Sequence, residues 1–258
     1  ICASSWSVLM DNDSKSGNKQ VKSQVIDLKR PANSSRISNM AELGHMTPDE
    51  LTARKIINAS MPNKEVLNTF REIRTQLVKM SKGGNFVVMV TSLTAKAGNS
   101  FIATNLGAVL ALDKTKTALL IDCNLYDSSL SSLLDVEPDY GLTDYLAEEH
   151  LDINDIIYAT GIPRLRVIPA GTHVEVGAEY FSSERMKQFV GDLKERYPDR
   201  FIILDVPPIG LWAEARILTA FSDFCVLVVP YGKVSEGQLV SAVEAIGKEK
   251  LAGLIFNN

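Results

Sequence analysis

Gly98, Asn99 and Ser100 follow an apolar run and a stretch of small residues in FVVMVTSLTAKAGNSFIATNLG, Phe86–Gly107. A loop of small residues feeding a helix start aims backbone N–H groups and the positive end of the helix dipole at one point. That is the chemistry of a phosphate site. Such a loop wants Gly-Lys-Ser/Thr at the helix start, with the lysine reaching the β- and γ-phosphates and the hydroxyl holding Mg²⁺. Here the glycine and the hydroxyl are present, and asparagine stands where the lysine belongs. Thr94, Ala95, Lys96, Ala97, Gly98, Asn99 and Ser100 are therefore the candidate ATP- or ADP-binding loop. Asp122 and Asp205 each end an apolar run, TALLID and RFIILD. Magnesium binds through one or two carboxylates together with waters and phosphate oxygens, which makes Ser100, Asp122 and Asp205 candidate metal ligands. One carboxylate could also orient or deprotonate an attacking hydroxyl, so Asp122 and Asp205 are the candidate catalytic acids. Taken alone, a strand-terminal Asp also reads as a cap for the next turn, and Lys96 as a solvated loop residue.

These side chains need strands and helices to carry them. Near-continuous apolar runs at Phe86–Thr91, Thr117–Asp122, Leu165–Pro169, Arg200–Asp205, Phe224–Pro230 and Leu251–Asn257 read as strands buried on both faces. Between them fall helical segments. Asn63–Met80 carries an apolar stripe of Val66, Phe70, Ile73 and Leu77. Asp127–Leu134, Gly141–Ala147 and Leu151–Ile157 are short, Ser182–Tyr197 is long, and Leu211–Phe221 and Ser235–Lys248 complete the set. The alternation predicts an α/β fold: a doubly wound, mainly parallel sheet with helices on both faces, like a P-loop NTPase. Its ligand belongs at the carboxyl ends of the strands. We place this domain at 61–258, after an N-terminal arm, 1–60. Within the arm, 1–34 is polar and aperiodic and reads as largely disordered, with a short extended segment at Val25–Leu28. Thr47-Pro48-Asp49-Glu50 looks like a helix start.

Composition closes off several classes. A net charge of −4 over 258 residues gives no sign of nucleic-acid binding. No apolar run is long enough to span a bilayer. The opening residues, ICASSWSVLM, lack a Met and a basic region and read as a clipped end rather than a signal peptide. Cys2, Cys123 and Cys225 form no CxxC pair, which disfavours an iron–sulfur carrier; the latter two read as buried free thiols in a reducing cytoplasm. The three histidines are too scattered for a metal site.

Beyond these local readings, residues 60–258 resemble the bacterial protein-tyrosine kinases of capsule and exopolysaccharide export, within the broader MinD/ParA-type P-loop group. NTFREIRTQL resembles the family's N-terminal helix motif, MVTSLTAKAGNSFIATNLG its P-loop, and LLIDCNLYDSSLSSLLDVEPDYGLTDYLAEE its Walker A′ segment. SSERM, IILDVPP and GLTDYL together make the likeness specific. The resemblance implies ATP or ADP with Mg²⁺ as cofactors. It implies Arg71 and Arg74 as contacts in a homo-oligomeric ring, and Asn257 as the residue that meets adenine. It also implies a cytoplasmic protein held at the inner membrane by the tail of a membrane chain-length regulator. From the sequence alone, Arg71 and Arg74 also read as a solvated helix face, Asn257 as a strand-end cap, and Trp212 and Glu214 as helix surface.

The departures from the family shape the expected function. Asn99 replaces the P-loop lysine, Thr94 stands where the MinD-type loop has a further lysine, and Lys96 replaces a glycine. Asn124 and Tyr126 replace an acid and an arginine of Walker A′, Asn68 replaces a glutamate before the two arginines, and Glu214 replaces an aspartate. The seven tyrosines are scattered rather than gathered in the C-terminal cluster that these kinases phosphorylate. An uncharged asparagine is too short to reach the β- and γ-phosphates. Loss of such a donor costs about 3–4 kcal/mol in a preorganised site. The expectation is a degenerate tyrosine autokinase, weakly active or inactive, that regulates polysaccharide chain length. The alternative is an active autokinase that recruits Lys96.

Overall fold

The computed structural model describes residues 5–8, 45–172, 175 and 177–257. Among the described residues eight strands form one sheet: β1 (Ser5–Val8), β2 (Val87–Ser92), β3 (Thr117–Asp122), β4 (Tyr158–Ala159), β5 (Leu165–Ile168), β6 (Arg200–Asp205), β7 (Phe224–Pro230) and β8 (Leu251–Asn257). Their order across the sheet is β1-β8-β7-β2-β6-β3-β5-β4. Every pairing is parallel except β4 with β5. The predicted parallel, doubly wound architecture is the observed one.

Alternate residues of each strand enter two separate cores, as a pleated strand requires. Val88, Val90, Ala118, Leu120 and Ile203 face one side. There they meet helix α2 (Lys64–Met80) through Phe70, Ile73 and Leu77, and helix α3 (Asn99–Leu110) through Ile102, Leu106 and Val109. Val87, Met89, Leu119, Ile121, Ile202 and Leu204 face the other side. There they meet α7 (Glu184–Arg196), α8 (Ala213–Leu218) and α9 (Glu236–Ile246). This double cover is why β2, β3 and β6 are buried at every position.

The remaining helices are α1 (Pro48–Ala53), α4 (Leu130–Leu134), α5 (Leu142–Ala147) and α6 (Gly177–Ser182). Pro48 opens α1 and acids fill its first turn, as the residue types predicted, and Thr47 caps it in a reciprocal capping box with Glu50. The long helix expected at 182–197 is α7, capped by Ser183 through the Met186 amide, with α6 preceding it as a separate short helix. Two expectations need local correction. Ile153–Ile156 is a single 3₁₀ turn, and Leu211–Phe221 shortens to α8 plus a 3₁₀ turn.

Segment 45–61 is wired to the sheet. Leu51, Ile56, Ile57 and Met61 join the same core as α2, and the Ile57 amide donates to Asn105 Oδ1 of α3 at 2.7 Å. Ser5–Val8, within the arm expected at 1–34, runs parallel to β8 as an edge strand; Val25–Leu28 lies outside the described residues. Cys123 and Cys225 are buried free thiols. Among the described residues no helix is long and apolar enough to cross a membrane.

Candidate phosphate and metal site

Strand alternation decides where the acids point. Asp122 and Asp205 are register partners on β3 and β6. Each follows a residue of the α7 side, Ile121 or Leu204, so each faces α3. Both are fully buried beneath the start of that helix.

Around them the loop after β2 closes tightly. Gly98, the N-cap of α3, has φ 87°, a left-handed conformation that favours glycine. A Cβ on it would collide with the Asn257 carboxamide. Lys96 also sits at positive φ, 57°, where the family's glycine would be at ease. Lys96 thus holds a backbone conformation that suits glycine while placing a long side chain on the loop.

Asn99 is 5% exposed, and its side-chain amide is spent on the end of β6. Its Nδ2 donates to Asp205 Oδ1 at 3.0 Å and to the Val206 carbonyl at 3.1 Å. Against the burial that raises the Asp205 carboxyl's pKa, the Ser100 hydroxyl and the Asn99 amide both act to lower it. Asp205 Oδ2 is buried with no hydrogen-bond partner. Asp122 is better satisfied: Ser128 Oγ donates to Oδ2 at 2.8 Å and the Asn124 amide to Oδ1 at 3.1 Å. Burial is the largest influence on both acids and raises both, Asp122 to about 6. The neighbouring Asp122 charge pushes Asp205 up further, well above the ordinary carboxylate range.

Above the acids opens a cleft of about 350 Å³, with Lys96, Gly98, Asn99 and Ser100 on one wall and Asp127, Ser129 and Ser132 on another. Thr94, Ala95, Ala97, Asn257 and both acids, Asp122 and Asp205, lie outside its lining. Asn257 is nonetheless at the loop: its Nδ2 donates to the Ala97 carbonyl at 2.9 Å, and its Oδ1 is buried without a partner. The donor set suits a hard cation, being hydroxyl and carboxylate oxygen with one orphaned carboxylate lone pair. The helix start and left-handed loop suit an anion beside it. What the site lacks is a cation at position 99.

Arg71 and Arg74 lie apart from the cleft on α2. Arg71 is exposed, whereas Arg74 donates to the Val109 carbonyl near the end of α3 at 3.3 Å. Sequence reading missed three features of this edge. Ser128 bridges to Asp122 from six positions away. Asp144 gathers the Gly141 amide at 2.7 Å, the Thr172 amide at 3.0 Å and the Thr172 hydroxyl at 2.5 Å, fixing α5 to the loop after β5. Tyr126 meets Trp212 and Glu214 across the sheet edge. The likeness draws notice to GLTDYL and, as departures, to Tyr126 and Glu214, but to none of these contacts.

No protein-family model matches the chain. The chain is 30% identical over 211 residues to the tyrosine-protein kinase CpsD of Streptococcus agalactiae, covering 80% of this chain and 90% of that protein. It is 32% identical over 207 residues to the tyrosine-protein kinase YwqD of Bacillus subtilis, covering 79% and 86%. The kinase domain of the Escherichia coli tyrosine kinase ETK superposes with a TM-score of 0.69 at 23% identity, over 89% of this chain and 88% of that one. The septum site-determining protein MinD of Pyrococcus horikoshii, complexed with Mg-ADP, shares the fold at a TM-score of 0.55 and 20% identity, over 66% and 68%.

Proposed function

The chain belongs to the family of bacterial tyrosine-protein kinases, and on that premise we propose that it is a kinase-like component of capsule or exopolysaccharide biosynthesis and export whose phosphoryl transfer is impaired. The carrying observation is the Asn99 side chain. It spends its donor on Asp205 and Val206 and presents no charge to the cleft. In this reading the loop amides and Ser100 hold the phosphates of ATP or ADP weakly. Asp122, Asp205 and Ser100 hold Mg²⁺, with the open Oδ2 of Asp205 as the vacant ligand position. The ion would supply charge neutralisation at the phosphate oxygens. Asn257, with one amide oxygen unspent, is the candidate adenine contact. The protein would act by docking to the cytoplasmic tail of a membrane chain-length regulator, with Arg71 and Arg74 serving a ring of copies. We place it at the cytoplasmic face of the inner membrane through that partner, and extend the kinase-like unit upstream of the expected boundary at 61, because Leu51, Ile56 and Ile57 share the α2 core.

A second reading has one observation behind it. Lys96 lines the cleft beside Ser100, so its ammonium could serve the phosphates and sustain autokinase activity. Calorimetric titration with Mg-ATP and Mg-ADP, followed by an anti-phosphotyrosine blot, separates the two. Weak binding with no phosphotyrosine is expected. Robust phosphorylation that Lys96→Ala abolishes would establish the second reading in its place.

A further inference from the structure

The loop after β3 runs from Asp122 through Tyr126 to Asp127 and Ser128. Its two ends touch the site: Ser128 bonds the Asp122 carboxylate, and Asp127 lines the cleft. Its middle turns to the opposite side of the sheet edge. There the Tyr126 ring stacks on Trp212, with centroids 3.5 Å apart and planes 14° from parallel. The Tyr126 hydroxyl donates to Glu214 Oε1 in a short contact. Trp212 is the N-cap of α8, and Glu214 lies in its first turn, 5% exposed. Both follow the segment that leaves Asp205 on β6. The same segment is tied to the phosphate loop, because Thr91 Oγ1 donates to the Pro207 carbonyl at 2.6 Å and the Ile209 amide to the Ser92 carbonyl at 3.0 Å.

We propose that Tyr126, Trp212 and Glu214 form a clasp that sets the Asp127–Ser128 wall of the cleft against the Asp205 side, making all three positioning residues for the ligand site. This inference rests on the reading of that edge as a magnesium–nucleotide site. The chemistry supports a clasp rather than incidental packing. A ring that is 46% exposed has little hydrophobic reason to hold one orientation, but a parallel stack combined with a hydrogen bond to a buried carboxylate does. That bond needs the protonated phenol. Burial, then the Glu214 bond and charge, push Tyr126 up to about 12, so the clasp stays closed across the physiological range. Among the described residues no other hydrogen bond joins the loop 123–129 to α8.

The test uses the full chain with Mg-ADP and metal-free ADP as probes, and Trp212 emission in a Trp6→Phe background as the report on the stack. Tyr126→Phe keeps the stack and removes the bond. Tyr126→Ala removes both, and Glu214→Gln keeps an acceptor oxygen for rescue. Mg-ADP affinity should fall about five- to tenfold in Tyr126→Phe, one hydrogen bond's worth of ordering, and further in Tyr126→Ala. Metal-free ADP should move less, the melting temperature should hold within a few degrees, and Glu214→Gln should bind near wild type. If wild type binds and the variants bind equally well, the clasp alone is overturned. If affinity falls only in step with a collapse in melting temperature, the clasp is likewise overturned in favour of a structural role. If wild type does not bind, the series is run on Asn99→Lys. Absence of binding in both backgrounds overturns the site reading and the clasp together.

Discussion

Replacing Asn99 by lysine returns the missing charge to the one place where the backbone already expects it. The expected size follows from the surroundings. A lysine ammonium about 4 Å from a phosphate oxygen, at an effective dielectric near 20, is worth roughly 4 kcal/mol. Against that stand the two bonds that Asn99 now makes to Asp205 and Val206, together about 1–3 kcal/mol. Desolvation of the ammonium is partly offset by Asp205, whose Oδ2 has no partner. The balance is about 1–3 kcal/mol in favour of the bound nucleotide, or roughly 5- to 150-fold in affinity. The assay is a calorimetric titration with Mg-ADP on wild type, Asn99→Lys and Asn99→Met, the last matching length without charge. Gain in the lysine variant and none in the methionine variant is the expected pattern. A folded Asn99→Lys protein whose affinity stays within about threefold of wild type would refute the reasoning, since position 99 would then not face the phosphates. Adding Lys96→Ala would show whether that side chain already supplies the charge.

Three other outcomes follow from the same geometry. Gly98→Ala should lose about 1–2 kcal/mol in thermal unfolding, from the left-handed backbone and the Asn257 carboxamide standing where the Cβ must go. Asp144→Ala strands the amides of Gly141 and Thr172 and the Thr172 hydroxyl, and should cost about 3–5 kcal/mol of unfolding free energy. In metal-free protein the melting temperature should fall between pH 4 and 7. Burial raises the folded-state value of Asp122 from 3.8 to about 6. Its protonated form is therefore favoured by the fold, and that stability is complete below the unfolded value and lost as pH rises through 6. Roughly two units correspond to about 3 kcal/mol. Excess Mg²⁺ should flatten the profile, and a profile flat without it would contradict the buried pair.

What could be read in advance tracks how local each determinant is. β2, β3, β6, β7 and β8 were legible because two covered faces force unbroken apolar runs. β4 was not, since two residues paired antiparallel at the sheet's edge leave no periodicity. α6 was hidden by its opening Gly177 and by running almost directly into α7. In the site, the loss of the lysine was plain in the residue types. The destination of the Asn99 amide was not, because its partner lies 106 positions away on another strand. Tyr126 and Glu214 are 88 positions apart and meet only once β3 and β6 are neighbours. Read singly, each is ordinary surface.

The wiring of segment 45–61 has a practical bearing on how a minimal fragment should be cut. Starting at Asn63, where the first long helix is capped, would strip the Ile57 amide from Asn105 and uncover the apolar patch that Leu51, Ile56 and Ile57 now shield. It would also release Arg54, which grips the end of α4 through the Leu133 carbonyl at 3.2 Å and Asp135 at 3.5 Å. α4 carries Ser132 and Leu133 of the cleft lining. A truncation that looks harmless on a sequence map would therefore expose greasy surface and slacken the far bank of the pocket, so the shortest faithful fragment begins upstream of Met46.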